Sequence, residues 1–155
     1  MAVHGTSNPL GGAELQLAGG EVVLSAAADA PASISFENAL SLTDDSTLTA
    51  GAASGGVSGA RDVSVASAGV TLAEATTLTL KSTDDYRLWI PGPLSGSGSV
   101  EVAGGDVTLS GGGDVDELRI QSGTLHLAAD LDAQWMTVIG DGLDSGTNHV
   151  HVGRR

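Results

Sequence analysis

The sequence predicts an all-β chain wound as a single-stranded parallel β-helix, a β-solenoid with short irregular coils, and three observations lead there. First, bulky apolar residues recur in pairs at spacing two, among them Val100/Val102, Val107/Leu109, Leu118/Ile120 and Leu125/Leu127. In extended chain that spacing puts both side chains on one face and leaves Glu101, Thr108, Arg119 and His126 on the other. Second, the pairs repeat: Val100 and Leu118 are 18 residues apart, as are Val107 and Leu125, and the seven-residue step from Leu15 to Val22 matches that from Val100 to Val107. Successive coils produce such offsets when each continues the core of the last. Third, the 23 glycines sit at the ends of alternating runs rather than at every third position, which suits sharp turns between strands and excludes collagen.

One domain is expected over residues 1–155. Residues 1–12 read as a polar lead-in with a turn at Asn8-Pro9, and Leu15/Leu17 then Val22/Leu24 flank a turn at Gly19-Gly20. Ala26 to Ala32 reads as a loop despite its alanines, because Asp29, Pro31 and the alternating Ile34 and Phe36 argue against helix. Leu40 and Leu42 lie 18 residues beyond Val22 and Leu24, and Leu48 with Ala50 follows across Asp44-Asp45, which gives coils of roughly 18 to 22 residues with two or three faces. Gly51 to Gly59 reads as a broad corner or an extruded loop, after which Val63/Val65, Val70/Leu72 and Leu78/Leu80 resume the alternation. Residues 83–94, TDDYRLWIPGPL, read as an aromatic and proline loop in which Tyr86, Leu88 and Ile90 can share an inward face while Arg87 and Trp89 point outward. Met136 falls 18 residues beyond Leu118, which assigns Met136 and Val138 to the core and Trp135 to the outer face or a terminal cap. GDGLDSG reads as a turn, and Val150 with Val152 as the final inward pair.

GSVEVAGGDVTLSGGG followed by VDELRIQSGTLHLAADL, over residues 98–131, resembles the autotransporter-associated β-strand repeat. The matching residues are Gly105, Val107, Thr108, Leu109, Ser110 and Gly111, then Leu118, Ile120, Gly123, Thr124, Leu125 and Leu127. The asparagine and tyrosine loop signature of that repeat is missing between Gly113 and Val115. The resemblance implies a right-handed parallel β-helix of the kind found in secreted or surface-exposed passenger regions. It carries over no catalytic residue. The expected location is extracellular or at the cell surface, with a virion component as the alternative.

Composition narrows the function. The hydrophobic content of 41% is largely Ala, Val and Leu with four aromatic residues, a composition suited to a narrow stacked interior rather than to the aromatic-rich centre of a globular enzyme. A net charge of −13 opposes nucleic acid, which needs a positive footprint, and opposes acidic membrane surfaces. The sequence has no cysteine, so disulfide scaffolds and thiol chemistry are excluded. It also shows no basic leader with an apolar segment and no run of 18 apolar residues, so membrane insertion is not expected.

Candidate chemistry is sparse. His149 and His151 share a strand face and could hold a metal with Asp141 or Asp144, but with no fixed third ligand they read as a solvated face. Stacked carboxylates serve lyases and hydrolases, yet Asp44-Asp45, Asp84-Asp85 and the cluster Asp114, Asp116 and Glu117 do not recur at the coil offset, and the available cations are Arg61, Lys81, Arg87 and Arg119. Gly140 to Asp144 is a single imperfect likeness of a calcium-binding nonapeptide, and Thr77 and Thr79 are not repeated as an ice-binding ladder would require. Phosphate-loop, dinucleotide and nucleophile-elbow motifs are missing. No catalytic residue, metal or cofactor is therefore assigned. The expected function is a non-catalytic structural or self-assembling module that associates through the ends of its stack. The alternative is a glycan- or protein-binding module using Tyr86, Arg87 and Trp89, with a polysaccharide lyase or hydrolase ranked last.

Overall fold

The computed structural model describes residues 2–5, 11–27, 31–52, 59–83, 85–139, 142–144 and 149–153. The Asn8-Pro9 turn, Asp29, most of the Gly51–Gly59 stretch, Asp84, Gly140, Asp141 and the terminal Arg154 and Arg155 lie outside them. In chain order the strands are β1 (Ala2–Gly5), β2 (Leu15–Ala26), β3 (Ser33–Phe36), β4 (Leu40–Ala50), β5 (Arg61–Val65), β6 (Val70–Leu72) and β7 (Thr77–Ser82). There follow β8 (Tyr86–Ile90), β9 (Leu94–Gly96), β10 (Ser99–Leu109), β11 (Gly113–Leu127), β12 (Leu131–Val138), β13 (Gly142–Asp144) and β14 (Val150–Val152). No described residue is helical.

Alternation explains why these segments extend. In β7 the buried Leu78 and Leu80 interleave with the half-buried Thr77, Thr79 and Lys81, so one face of the strand enters the core while threonine, a good strand former, covers the other. Every pairing among the described strands is parallel, and apolar residues stand over apolar residues. One ladder runs Ile34, Val63, Leu88, Val107, Leu125, Leu143; another runs Leu48, Leu80, Val102, Ile120, Val138. The 18-residue offset is the register of β10 on β11, which sets Val100 on Leu118 and Val107 on Leu125. It continues onto β12, where Met136 stands on Leu118.

The connectivity of the sheet corrects the expected right-handed, single-stranded parallel β-helix. Hydrogen-bonded neighbours close a six-strand parallel ring, β11-β9-β6-β4-β7-β10 and back to β11, and the other eight of the fourteen described strands lie outside it. The short separate strands read from the sequence fuse into long ones that change partner part-way. In β4, Leu40–Leu42 pairs with β6 and Ser46–Ala50 with β7. In β10, the first half pairs with β7 and Asp106–Leu109 with β8, with a register shift near Ala103. Strand β11 meets β9 at Gly113 and β10 from Leu118 onward. Strands that bend and pair on both halves close the barrel, and period-two alternation does not report where a strand bends.

Local expectations also change, among them the inward placement of Val138 and Val152, which are 45% and 51% exposed. Residues 1–12 are not all lead-in, since Ala2–Gly5 pairs with Val23–Ala26. Residues 83–94 are not a loop, because Tyr86–Ile90 is a regular strand between β5 and β10. The GDGLDSG segment contributes β13, which pairs with Thr124–His126, rather than only a turn.

Glycine is required where layers touch at bends. Gly123, at a φ of 75°, lies so close to the Gly105 backbone that a Cβ would collide with it, and Gly105, at 69°, lies as close to Ser82.

Candidate functional site

The outer face of β5, β8, β10, β11 and β13 brings aspartate, arginine, tryptophan, threonine and histidine side chains together. Alternation in β8 turns Tyr86, Leu88 and Ile90 inward and Arg87 and Trp89 outward. Tyr86 is therefore removed from the expected binding patch: its ring is buried in the core, and its hydroxyl accepts a hydrogen bond from the Ala26 N–H at 3.3 Å. The expectation of Arg87 and Trp89 on the surface holds, and Trp89 keeps 43% of its surface exposed.

Register determines what surrounds them. One outward row is Asp62, Arg87, Asp106, Thr124, and the next is Ser64, Trp89, Thr108, His126, Asp144. Asp62 grips Arg87 through two contacts, Nε to Oδ1 at 2.7 Å and Nη2 to Oδ2 at 3.1 Å, a bidentate geometry that fixes the guanidinium plane. The Trp89 indole N–H donates to the Ser110 hydroxyl. His126 sits between carboxylates, with Nδ1 3.1 Å from Asp144 and Nε2 4.0 Å from Asp106.

Two clefts meet at Arg87. The smaller, about 160 Å³, is lined by Asp62, Arg87, Leu88, Trp89 and Thr108. The larger, about 510 Å³, includes Ser82, Asp85, Arg87, Asp106, Ser122 and Thr124 around a floor of Gly104, Gly105 and Gly123.

The other candidates disperse into structural contacts. Asp45 accepts the Thr77 N–H at 2.8 Å, which ties two passes of the chain together. Glu117 and Glu101 both hold Arg119, at 2.7 and 3.3 Å, and raise its pKa, with Glu117 the larger cause. Lys81 meets Glu21 at 2.9 Å, and the Thr49 hydroxyl first, then Lys81, holds that carboxyl below its ordinary range. Arg61 donates to its neighbour's carbonyl, Ala60 O, at 2.8 Å.

The histidine pair has a different neighbour from the expected one. Asp144 faces His126, Asp141 lies outside the described residues, and it is Asp130 that approaches His149 at 3.8 Å and His151 at 3.5 Å. The His149 backbone N–H, at 2.8 Å, is the main cause lowering the Asp130 pKa. Among the described residues no group of three His, Cys, Asp or Glu side chains could hold a metal ion.

A second distinctive surface is the C-terminal end of the core. Leu118 and Ile120 are fully buried, whereas Met136 above Leu118 is half-buried and Val138 above Ile120 is 45% exposed. Trp135 at 63% and Ile139 at 67% rim the same end. One edge of Trp135–Val138 pairs with β11, while β14 reaches only Leu131–Ala133, so the other edge has no strand partner among the described residues. At the other end β2 meets β1 only at Val23–Ala26, so its Leu15–Val22 edge also has no second strand partner among the described residues, but Leu17 is only 4% exposed and the Asn38 amide donates to the carbonyls of Gly11 and Ala13 just before the strand.

Sequence reasoning missed Asp62, Asp106, Thr108, Ser110 and His126 as neighbours of Trp89 and Arg87. The 18-residue offset finds Thr108 beside His126, but the step from Asp62 to Arg87 is 25 residues and from Arg87 to Asp106 is 19, so no single period assembles the face.

Among the described residues, fold and surface together define an all-β, wholly parallel architecture with an open groove beside an anchored tryptophan and an apolar end. Compared with protein-family models, curated proteins and solved structures, the chain matches none of them.

Proposed function

We propose that the chain is a non-catalytic structural module that self-associates through the C-terminal end of its core. The supporting observation is the loss of cover along the ladders, from fully buried Leu118 and Ile120 to the exposed Val138, Trp135 and Ile139 on an unpaired strand edge. An edge of free peptide groups recruits another strand unless it is blocked by charge, proline or a cap, and Trp135 to Ile139 contains neither charge nor proline. Because the large exposed apolar side chains Trp135, Val138 and Ile139 gather at this end and none is exposed along Leu15–Val22 of β2, the contact is like with like, end to end, and gives a closed dimer. The chain's charge of −13 opposes approach elsewhere on the surface. Extracellular or cell-surface placement, with a virion component as the alternative, follows from the repeat resemblance over residues 98–131.

Sedimentation velocity across protein and salt concentration tests this reading. A monomer–dimer equilibrium that shifts toward dimer as salt screens the charge is expected. A strict monomer under all conditions sinks it.

A second reading, a glycan- or protein-binding module, is supported by the exposed Trp89 and Arg87 beside the two clefts. In neither reading does any residue turn over a substrate.

A further inference from the structure

We propose that the outer groove across β5, β8, β10 and β11 binds a neutral oligosaccharide, with Trp89 as the stacking platform and Arg87 at the junction of two adjoining sugar subsites. The proposal rests on the second reading above and gives it a ligand class.

The two clefts differ in chemistry and share Arg87. Beside Trp89 the smaller cleft offers an aromatic face with Thr108 and the Asp62–Arg87 pair at its margin. A pyranose ring has an apolar C–H face and a rim of hydroxyls, so it needs such a combination: a flat aromatic surface with hydrogen-bonding groups around its edge. The indole is fixed in advance. Its N–H is tied to Ser110, which reduces the ordering cost on binding.

The guanidinium is fixed as well. Asp62 engages Nε and Nη2, and Nη1 makes no hydrogen bond among the described residues. It can donate to a sugar oxygen without losing its clamp. Beyond it, the larger cleft has hydroxyls from Ser122 and Thr124, carboxylates from Asp85 and Asp106, and the backbone of Gly104, Gly105 and Gly123 in its lining. Hydroxyl groups from a second sugar unit find both donors and acceptors there. The strands stand about 4.8 Å apart, so the groove crosses the sheet on the scale of a short oligosaccharide.

Charge selects against acidic glycans. Asp62, Asp85 and Asp106 line the two clefts with a single guanidinium, and the whole chain is at −13. A uronate, sulfate or phosphate would enter against that field. A neutral chain meets no such barrier, and its binding changes little with salt.

The test is calorimetric titration of the full chain with maltohexaose, cellohexaose and chitohexaose, with hexagalacturonate as the acidic arm, in parallel with selection of a random peptide library on wild type and W89A. At least one neutral hexasaccharide is expected to bind, with the affinity falling about tenfold or more in W89A, equivalent to about 1.4 kcal/mol. W89F should restore part of the affinity, W135F should leave it unchanged, and Trp89 fluorescence in the W135F background should respond to the sugar. Thermal melts of W89A close to wild type would show that the loss is not unfolding. Binding of no neutral hexasaccharide, or equal binding by W89A, overturns the proposal. Hexagalacturonate bound in preference, or peptides selected by wild type but not by W89A without any sugar binding, overturns the ligand class and leaves the binding-module reading standing. Failure of every arm removes both.

Discussion

Leu125→Ala tests the packing directly. Leu125 is fully buried in β11, with Val107 of β10 on one side and Leu143 of β13 on the other, each held in register by parallel pairing. The substitution deletes three carbons, worth about 2.4 kcal/mol at about 0.8 kcal/mol per buried methylene. Strands fixed on both sides limit collapse around the gap, so a cavity contribution adds to this and the expected loss is about 3 to 5 kcal/mol. Thr108→Ala is the matched control one residue from Val107: its side chain lies on the outer face between Trp89 and His126, and its loss should cost about 0.5 kcal/mol or less. Urea unfolding of both variants, with unchanged slope, gives the comparison. Equal losses, or a Leu125→Ala loss below that of Thr108→Ala, would refute the inward assignment of the whole Ile34-to-Leu143 ladder.

Trp135→Lys places a charge on the uncovered edge of β12 and should abolish the proposed dimer in sedimentation without lowering the melting temperature by more than a few degrees. Gly123→Ala forces a side chain into a φ of 75° against the Gly105 backbone and should cost about 1 to 3 kcal/mol or more in the same urea assay, whereas Gly20→Ala, with open space around it, should cost less despite its own positive φ. The Asp130 carboxyl is depressed in the folded chain, so its contribution is full above the unfolded value and is lost as pH falls below about 4 toward the folded one. The protection of the Val150–Val152 amides against exchange should fall over that window, and D130N should remove the acid-side dependence while its amide oxygen can still accept the His149 N–H.

Much of the strand content was legible because burial writes itself into the sequence at period two. Val107, Leu109, Leu125 and Leu127 are buried where their spacing placed them, and Met136 stands on Leu118 at the offset read from β10 and β11. What the alternation could not carry was sheet connectivity. A bend inside β4 or β10 breaks register without breaking composition, because Thr43 and Gly104 are as acceptable in a turn as in a bent strand. Residues 83–94 misled for a related reason: Pro91 and Pro93 read as loop chemistry, yet they fall just after β8 and leave its ladder hydrogen bonds intact.

The surface was less legible than the core, and the physical cause bears on function. Core positions are selected by their own contact with the interior, so each announces itself locally; a groove is selected by which outward residues become neighbours, and that depends on the length of every intervening turn. Asp62 reaches Arg87 across 25 residues, Trp89 reaches Ser110 across 21, and His126 reaches Asp144 across 18. A one-residue change in any of those connections would leave each strand's inward pattern readable while moving its outer row along the face or, by reversing the alternation, burying it. The Asp62 clamp on Arg87 and the Ser110 anchor on Trp89 therefore depend on connection length as much as on residue type. An insertion in the turn between β8 and β9 should accordingly disturb the Trp89–Ser110 contact and the groove before it disturbs the buried Leu88–Val107 pair.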